Sequence, residues 1–310
     1  MMRSLPLILF CCLSIASCVN TNNRLSVSES GEGIEITDQK RKVLFFQARP
    51  RSINGQYVRA GYIHPLYDLE GNILTEDGPE DHPYHRGIFW AWHQIVWRNQ
   101  KIADGWMSEN ISFVPAKIVS SQTDSGVSIH SAMVWKYKRV DAQPLDIISE
   151  KTIITVHQAE PTHRIIDFNI TLLPLVDSLA LGGSDDIKGY GGFCMRLKLP
   201  VDMRFTSQGT PVVARDTAVT AGPWMDFTGS FNGNTSPGSG VALFCKDPFP
   251  APEQLWILRN NTSMQNIPFP GSKPVALAKE GWHLQYRLII HNTDLSQGQL
   301  QKLYMNYANR

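Results

Sequence analysis

Charge is scarce in this chain and carries no sign. Charged residues make up 18% of the 310 positions, and 29 Lys and Arg against 28 Asp and Glu leave a formal net charge of +1. No basic patch or stripe argues for nucleic acid, and no cationic surplus argues for an anionic membrane face. Cysteine is also sparse. Of five, Cys11, Cys12 and Cys18 lie in the first eighteen residues, so a body of nearly three hundred residues holds only Cys194 and Cys245. That count excludes a disulfide-stapled scaffold, although an oxidising compartment would permit one bridge between those two. After the N-terminus there is no apolar run long enough for a membrane helix. There is no glycine-rich nucleotide loop, no HExxH zinc signature and no blade-length repeat.

What is present begins with an N-terminal address. Arg3 precedes the apolar run LPLILFCCLSI, which closes in IASC at Ile15 to Cys18. A short apolar region ending in small residues before cysteine is the pattern of a lipoprotein signal, with Cys18 as the lipidated first residue of the mature chain. The expected organisation is a signal over 1–18, a flexible polar tether over 19–31, and one domain over 32–310. The lipid anchor would hold that domain in the cell envelope, facing the periplasm rather than the cell surface, because no acidic run follows Cys18.

Period-two alternation dominates the body. It runs through Val127, Ile129, Met133, Trp135 and Tyr137, then Ile166, Phe168, Ile170 and Leu172, then Leu284, Tyr286, Leu288 and Ile290. Clusters such as FNGNTSPGSG punctuate these runs. Only the last segment reads as a helix, capped near Asp294 or Ser296, with Leu300, Leu303 and Tyr307 on one stripe. The expected fold class is all-β: a large antiparallel β-sandwich, in outline like the sugar mutarotases or the jelly rolls, with a C-terminal helix.

The chemistry concentrates in DHPYHRGIFWAWHQI, Asp81 to Ile95, which holds three histidines, one arginine and two tryptophans in fifteen positions. His82 and His85 flank a proline, so that segment is extended or turning rather than helical. Arg86 offers a planar fork suited to a carboxylate. Alternation puts Trp90 and Trp92 on one strand face and His93 on the other, and the tryptophans offer surfaces on which a sugar ring stacks. Further candidates are His64 before a proline in YIHPLY, Tyr190 and Arg196 in GYGGFCMRL, and Trp224 and Asp226 in GPWMDFTG. Glu150 is the acid expected to pair with Arg196.

YIHPLYDLEGNILTEDGPEDHPYHRGIFWAWHQI, GYGGFCMRL and PWMDFTG stand in the same order as in a PmoA-like bacterial family that carries a methane oxygenase label, which the chain resembles over the whole mature length. The subunit behind that label is a multi-helix membrane protein, and this chain has no membrane helix after its signal, so the label does not describe its chemistry. The resemblance implies a sugar-binding sandwich outline and a setting in polysaccharide breakdown.

Three chemistries compete. Elimination on an acidic sugar needs a base, an acid and a cation for the carboxylate. The assignments are His85, His82, His64, Arg86 and Tyr190 as catalytic, with Trp90, Trp92, His93, Arg196, Trp224 and Asp226 binding substrate. Hydrolysis by paired carboxylates is the second chemistry, and a metal site built on His-x-x-His is the third, although no cofactor is required. Epimerisation, with a histidine acid on a sugar-sandwich fold, is a close relative of elimination. A glycan-binding protein without catalysis is the non-enzymatic alternative. The partner in every case is an oligosaccharide.

Overall fold

The computed structural model describes residues 24–233, 238–246 and 254–309. Cys18 and the signal segment lie outside these residues. Two antiparallel sheets stack face to face. One has seven strands in the order Leu25–Glu29, Gly33–Asp38, Arg41–Gln47, Tyr62–Leu66, Ile88–Trp92, Gly191–Met195, Gln265–Pro268. The other has nine, built on the long meander Ile111–Thr123, Gly126–Tyr137, Leu145–His157 and His163–Pro174, which continues through Trp282–Asn292 and Ser239–Cys245.

The alternation in the sequence produces the core. Val127, Ile129, Met133, Trp135, Ile166, Phe168, Ile170, Leu172, Leu284, Tyr286, Leu288 and Ile290 are all buried. They meet the inner face of the seven-stranded sheet, where Phe193 lies 4.4 Å from Tyr286 and 5.1 Å from Phe168, centroid to centroid. Trp92 packs between Trp135 at 6.0 Å and Trp282 at 5.8 Å. Each such aromatic pair adds roughly 0.5–1.5 kcal/mol beyond its burial.

The seven-stranded sheet opens at Leu25–Glu29, inside the span expected to be a tether. Leu25 is buried, and Gln122 Nε2 donates to its carbonyl at 2.8 Å. LSVSE is short, set among polar residues and ends in charge, as an edge strand does, which is why it reads as linker. Cys194 and Cys245 are buried thiols on strands of different sheets, and no disulfide joins them.

The helix Gln297–Ala308 starts at Ser296, whose hydroxyl accepts from Gln299 N while the Gln299 side chain accepts from Ser296 N, a complete capping box. It lies against the outer face of the nine-stranded sheet through Leu300 and Tyr307. No helix of the described residues is long and apolar enough to cross a membrane.

Candidate active site

The strand Ile88–Trp92 separates two environments. Ile88, Trp90 and Trp92 point into the main core, whereas Phe89 and Ala91 join a separate outer cluster with Tyr62, Trp106, Cys194 and Met264. The chain bends at His93 and enters another sheet at Gln94–Trp97. His93 keeps the outward parity, opposite the tryptophans. Over this outer cluster lies a cleft of about 430 Å³, walled by His82, His85, His93, Trp106, Tyr190 and the segment around Arg259.

Three histidines reach the cleft by different local devices. His82-Pro-Tyr-His85 is a tight turn closed by His85 N donating to His82 O at 3.0 Å. Proline at the second position presets the backbone for such a turn. The turn folds the two imidazoles onto each other, 4.6 Å apart and 2° from parallel. His93 stands across the cleft, stacked on Trp106 at 5.0 Å. Trp106 is carried by a turn that Asp104 organises, its Oδ1 accepting from Trp106 N at 3.0 Å and Met107 N at 2.9 Å. Buried Arg59 braces that turn by donating to Gly105 O.

Protonation follows from the partners. A carboxylate only accepts and a guanidinium only donates. Asp104 Oδ2 lies 2.9 Å from His93 Nδ1, so His93 donates there, and the neutral ring has its lone pair on Nε2. Burial raises the Asp104 carboxyl, but the His93 hydrogen bond and charge, the backbone donors and Lys101 outweigh it and hold the group below the usual range. Asp81 Oδ2 makes the same contact to His82 Nδ1 at 2.9 Å. Desolvation works against that carboxylate too, yet His82 and Arg196 bring it down to about 2.

His85 is the opposite case. Arg196 Nη1 lies 3.2 Å from its Nδ1, so Nδ1 must accept and the ring hydrogen sits on Nε2. Burial first, then the charges of Arg196 and His82, pull its pKa down to about 2. His85 is therefore a neutral donor through Nε2, whereas His82 and His93 donate to carboxylates through Nδ1. One guanidinium sets two of these three states, because Arg196 Nη2 also holds Asp81 at 2.8 and 2.9 Å. Its Nε donates to Glu76 at 2.9 Å.

Tyr190 closes the far wall. Its phenolic oxygen accepts from Arg259 Nε at 2.8 Å, so the Tyr190 O–H hydrogen is directed elsewhere. Burial lifts the Tyr190 pKa, and the Arg259 charge and hydrogen bond draw it part of the way back. Lys188 and Arg215 line the same cleft.

Several expected site residues stand elsewhere. Arg86 is fully buried and turned away from the cleft, donating to Asp77 Oδ1 at 3.1 Å, Arg51 O at 2.9 Å and Tyr57 O at 2.7 Å. Its fork is used by the protein, and it does not receive a ligand carboxylate. Trp90 and Trp92 are core, and no sugar ring reaches them. His64 meets Thr75 Oγ1 at 3.0 Å beside the Asp77 network, outside the cleft. Trp224 and Asp226 lie under the C-terminal helix. Trp224 Nε1 donates to Gln301, and Asp226 takes His291 Nε2 at 2.9 Å and Gln297 Nε2 at 2.6 Å. Arg196 borders the site but pairs with Asp81 and Glu76. Glu150 instead accepts from Trp135 Nε1 at 2.8 Å and Thr152 Oγ1 at 3.0 Å, within the field of Arg59.

Among the described residues no group of three or more His, Cys, Asp or Glu is placed to hold an ion. Each cleft histidine has Nδ1 engaged, two by carboxylates and one by a guanidinium.

These features define an all-β sandwich with a histidine-lined cleft on the outer face of one sheet. The chain belongs to a family of unknown function, DUF6807, whose model matches residues 33–305. No curated protein matches it.

Proposed function

We propose that the cleft is the active site of a proton-transferring enzyme acting on an acidic sugar, a lyase or dehydratase that performs β-elimination on a uronate-bearing oligosaccharide. One observation carries this reading: two Asp–His pairs and a neutral, oppositely protonated His85 share one cleft. Elimination removes a proton from the carbon beside the carboxylate and expels the oxygen one carbon further, so it needs a base and an acid on the same substrate. His93 Nε2, backed by Asp104, is the base. Tyr190 Oη is the acid that protonates the departing oxygen. His85 Nε2–H donates to the carboxylate oxygen on which negative charge develops, the role for which a neutral imidazole is suited. Lys188 and Arg215 supply the cationic partners first assigned to Arg86. The sugar-sandwich outline implied by the sequence resemblance supports the substrate class.

A second reading rests on the second pair. His82 with Asp81 gives the cleft another basic nitrogen, and two bases reaching one carbon are what epimerisation requires. The two reactions separate cleanly. Elimination creates a carbon–carbon double bond that absorbs in the ultraviolet. Epimerisation exchanges the carbon-bound hydrogen with solvent deuterium and leaves absorbance unchanged.

The experiment is incubation with uronate-containing and neutral oligosaccharides, reading absorbance and product mass together. Absorbance gain, with mass conserved on cleavage or reduced by one water, is expected. Cleavage with water added and no absorbance change overturns the reading. Replacing His93 with Ala should lower turnover ~10²–10⁴-fold with binding retained. We further propose that Cys18 tethers the protein in the envelope, where such substrates arise. A Cys18→Ser chain that stays with the membrane fraction refutes that tether.

A further inference from the structure

A second cavity, of about 630 Å³, adjoins the histidine cleft and takes no part in the chemistry above. We infer that it is a subsite for the neutral sugar units that flank the acidic one, so that the substrate is an oligosaccharide lying across both cavities. This rests on the proposed function and extends it.

Arg215 lines both cavities. The partition between them is the short segment around it, and that segment is fixed from the catalytic side. Arg259 Nη1 donates to Arg215 O at 2.5 Å and Nη2 to Asp216 O at 3.0 Å, from the same guanidinium that holds Tyr190. The two cavities are therefore neighbours with a common, braced wall, and a ligand held at Arg215 has both within reach.

Their linings divide the work. The histidine cleft contains the titratable groups and the aromatic rings. The second cavity offers hydroxyls, an amide and small aliphatic surfaces, from Thr210, Thr217, Gln208, Val213 and Ala218, and Arg215 is the one charged residue among the described residues that line it. Hydroxyl and amide groups match sugar hydroxyls, and small aliphatic faces match the C–H faces of sugar rings. Among the described lining residues an anion would find one cation, at the shared wall. Val213 stands at the rim with 74% of its surface exposed, an apolar face that a sugar ring would cover. The floor is rigid, since Gly222 O accepts from Trp256 Nε1 at 3.0 Å and Gly222 N donates to Ser207 Oγ at 3.0 Å. Both volumes lie in the range of small-molecule sites, roughly 300–1,000 Å³.

The test compares a glucuronate-terminated disaccharide with a tetrasaccharide whose other three units are neutral. Binding is measured by calorimetry on the His93→Ala chain and turnover on the parent. The tetrasaccharide should bind about tenfold tighter or better, the factor that one or two extra hydrogen bonds give. Ala218→Trp, which fills the cavity, should abolish that advantage and leave the disaccharide unchanged. Thr217→Val, which removes a hydroxyl without adding bulk, should reduce it. Equal binding of the two sugars, an advantage that survives Ala218→Trp in a chain that folds normally, or no binding of either sugar overturns the subsite. Tight, Ala218-dependent binding without turnover on the parent chain leaves the subsite standing and overturns the elimination reading instead.

Discussion

Arg86 and Arg196 show how the direction a side chain takes beside a strand, rather than residue type, decides what an arginine does. Arg196 is turned outward and spends its donors on Asp81, Glu76 and His85, so its charge is converted into the protonation states of the cleft. Arg86 is turned inward beside Asp77, whose side chain is 3% exposed. Removing one member of a buried ion pair leaves the other charge without its main partner, which costs about 3–5 kcal/mol. Tyr62 Oη and Arg51 still reach Asp77, so Arg86→Met belongs at the low end, about 3 kcal/mol. The check is the urea midpoint at constant slope. Turnover per folded molecule should stay within a few-fold of the parent, and a stable but inactive Arg86→Met chain would return Arg86 to the site. Adjacency to His85 in sequence made Arg86 look like a ligand group. The same adjacency, in extended backbone, is what turns its side chain the other way.

At the scale of elements, alternation was the most readable signal, and its limits are equally clear. It separated Trp90 and Trp92 from His93 correctly, because a strand buried on both faces still obeys its period of two. It does not say that both faces are covered, so from alternation alone the tryptophans read as surfaces for a sugar ring. Trp106, the ring that does line the cleft, stands alone in the turn DGWMSEN, and a single residue in a turn has no period to detect. Asp104 and Arg259 likewise stand outside any periodic run, and the partners of Arg259 come from distant segments. The Asp-Gly turn before Trp106 was the one local hint. The C-terminal helix was legible from its cap and stripe, but not its docking. Asp226 joins it to the sheet through His291 and Gln297, with Asp226 and His291 almost wholly buried. Asp226→Ala leaves those two donors without their acceptor, a loss of about 1–3 kcal/mol. Chemical denaturation and helix-region amide exchange should both register it, with kinetic constants of the cleft unchanged. A raised KM with unaltered stability would contradict this placement.

For the whole molecule, the buried imidazole of His85 links folding to pH. Its folded pKa of about 2 lies below the ordinary 6.5, so between these values the unfolded chain binds a proton that the folded chain refuses. Stability is complete above 6.5 and declines as the pH falls below it, by at most about 1.4 kcal/mol per pH unit from this group. His64 and His163, also pulled down by burial, act in the same direction. Asp81, held at about 2, adds its own loss below its ordinary 3.8. Burial opposes the charged form of His291, but the hydrogen bond and charge of Asp226 raise its pKa overall. Its contribution is present below 6.5 and disappears only as the pH rises through its folded pKa. Urea titrations from pH 7.5 to 4.5 should therefore show falling stability. His85→Gln keeps an acceptor for Arg196 and should flatten the curve by about one proton. A parent chain equally stable across that range would mean that His85 charges freely in the fold.

The bend at His93 makes the stretch from His85 to His93 a ruler as well as a strand. Its two ends carry imidazoles that line the cleft on one face, and its middle anchors the core with indoles on the other. Substitutions along it change one side or the other, whereas loss or gain of one residue exchanges the sides. A single-codon deletion there would send His93 toward Trp135 and bring an indole out among the histidines. Evolution can therefore revise the letters of this segment but not its length, and descendants that diverge in chemistry should still preserve the count.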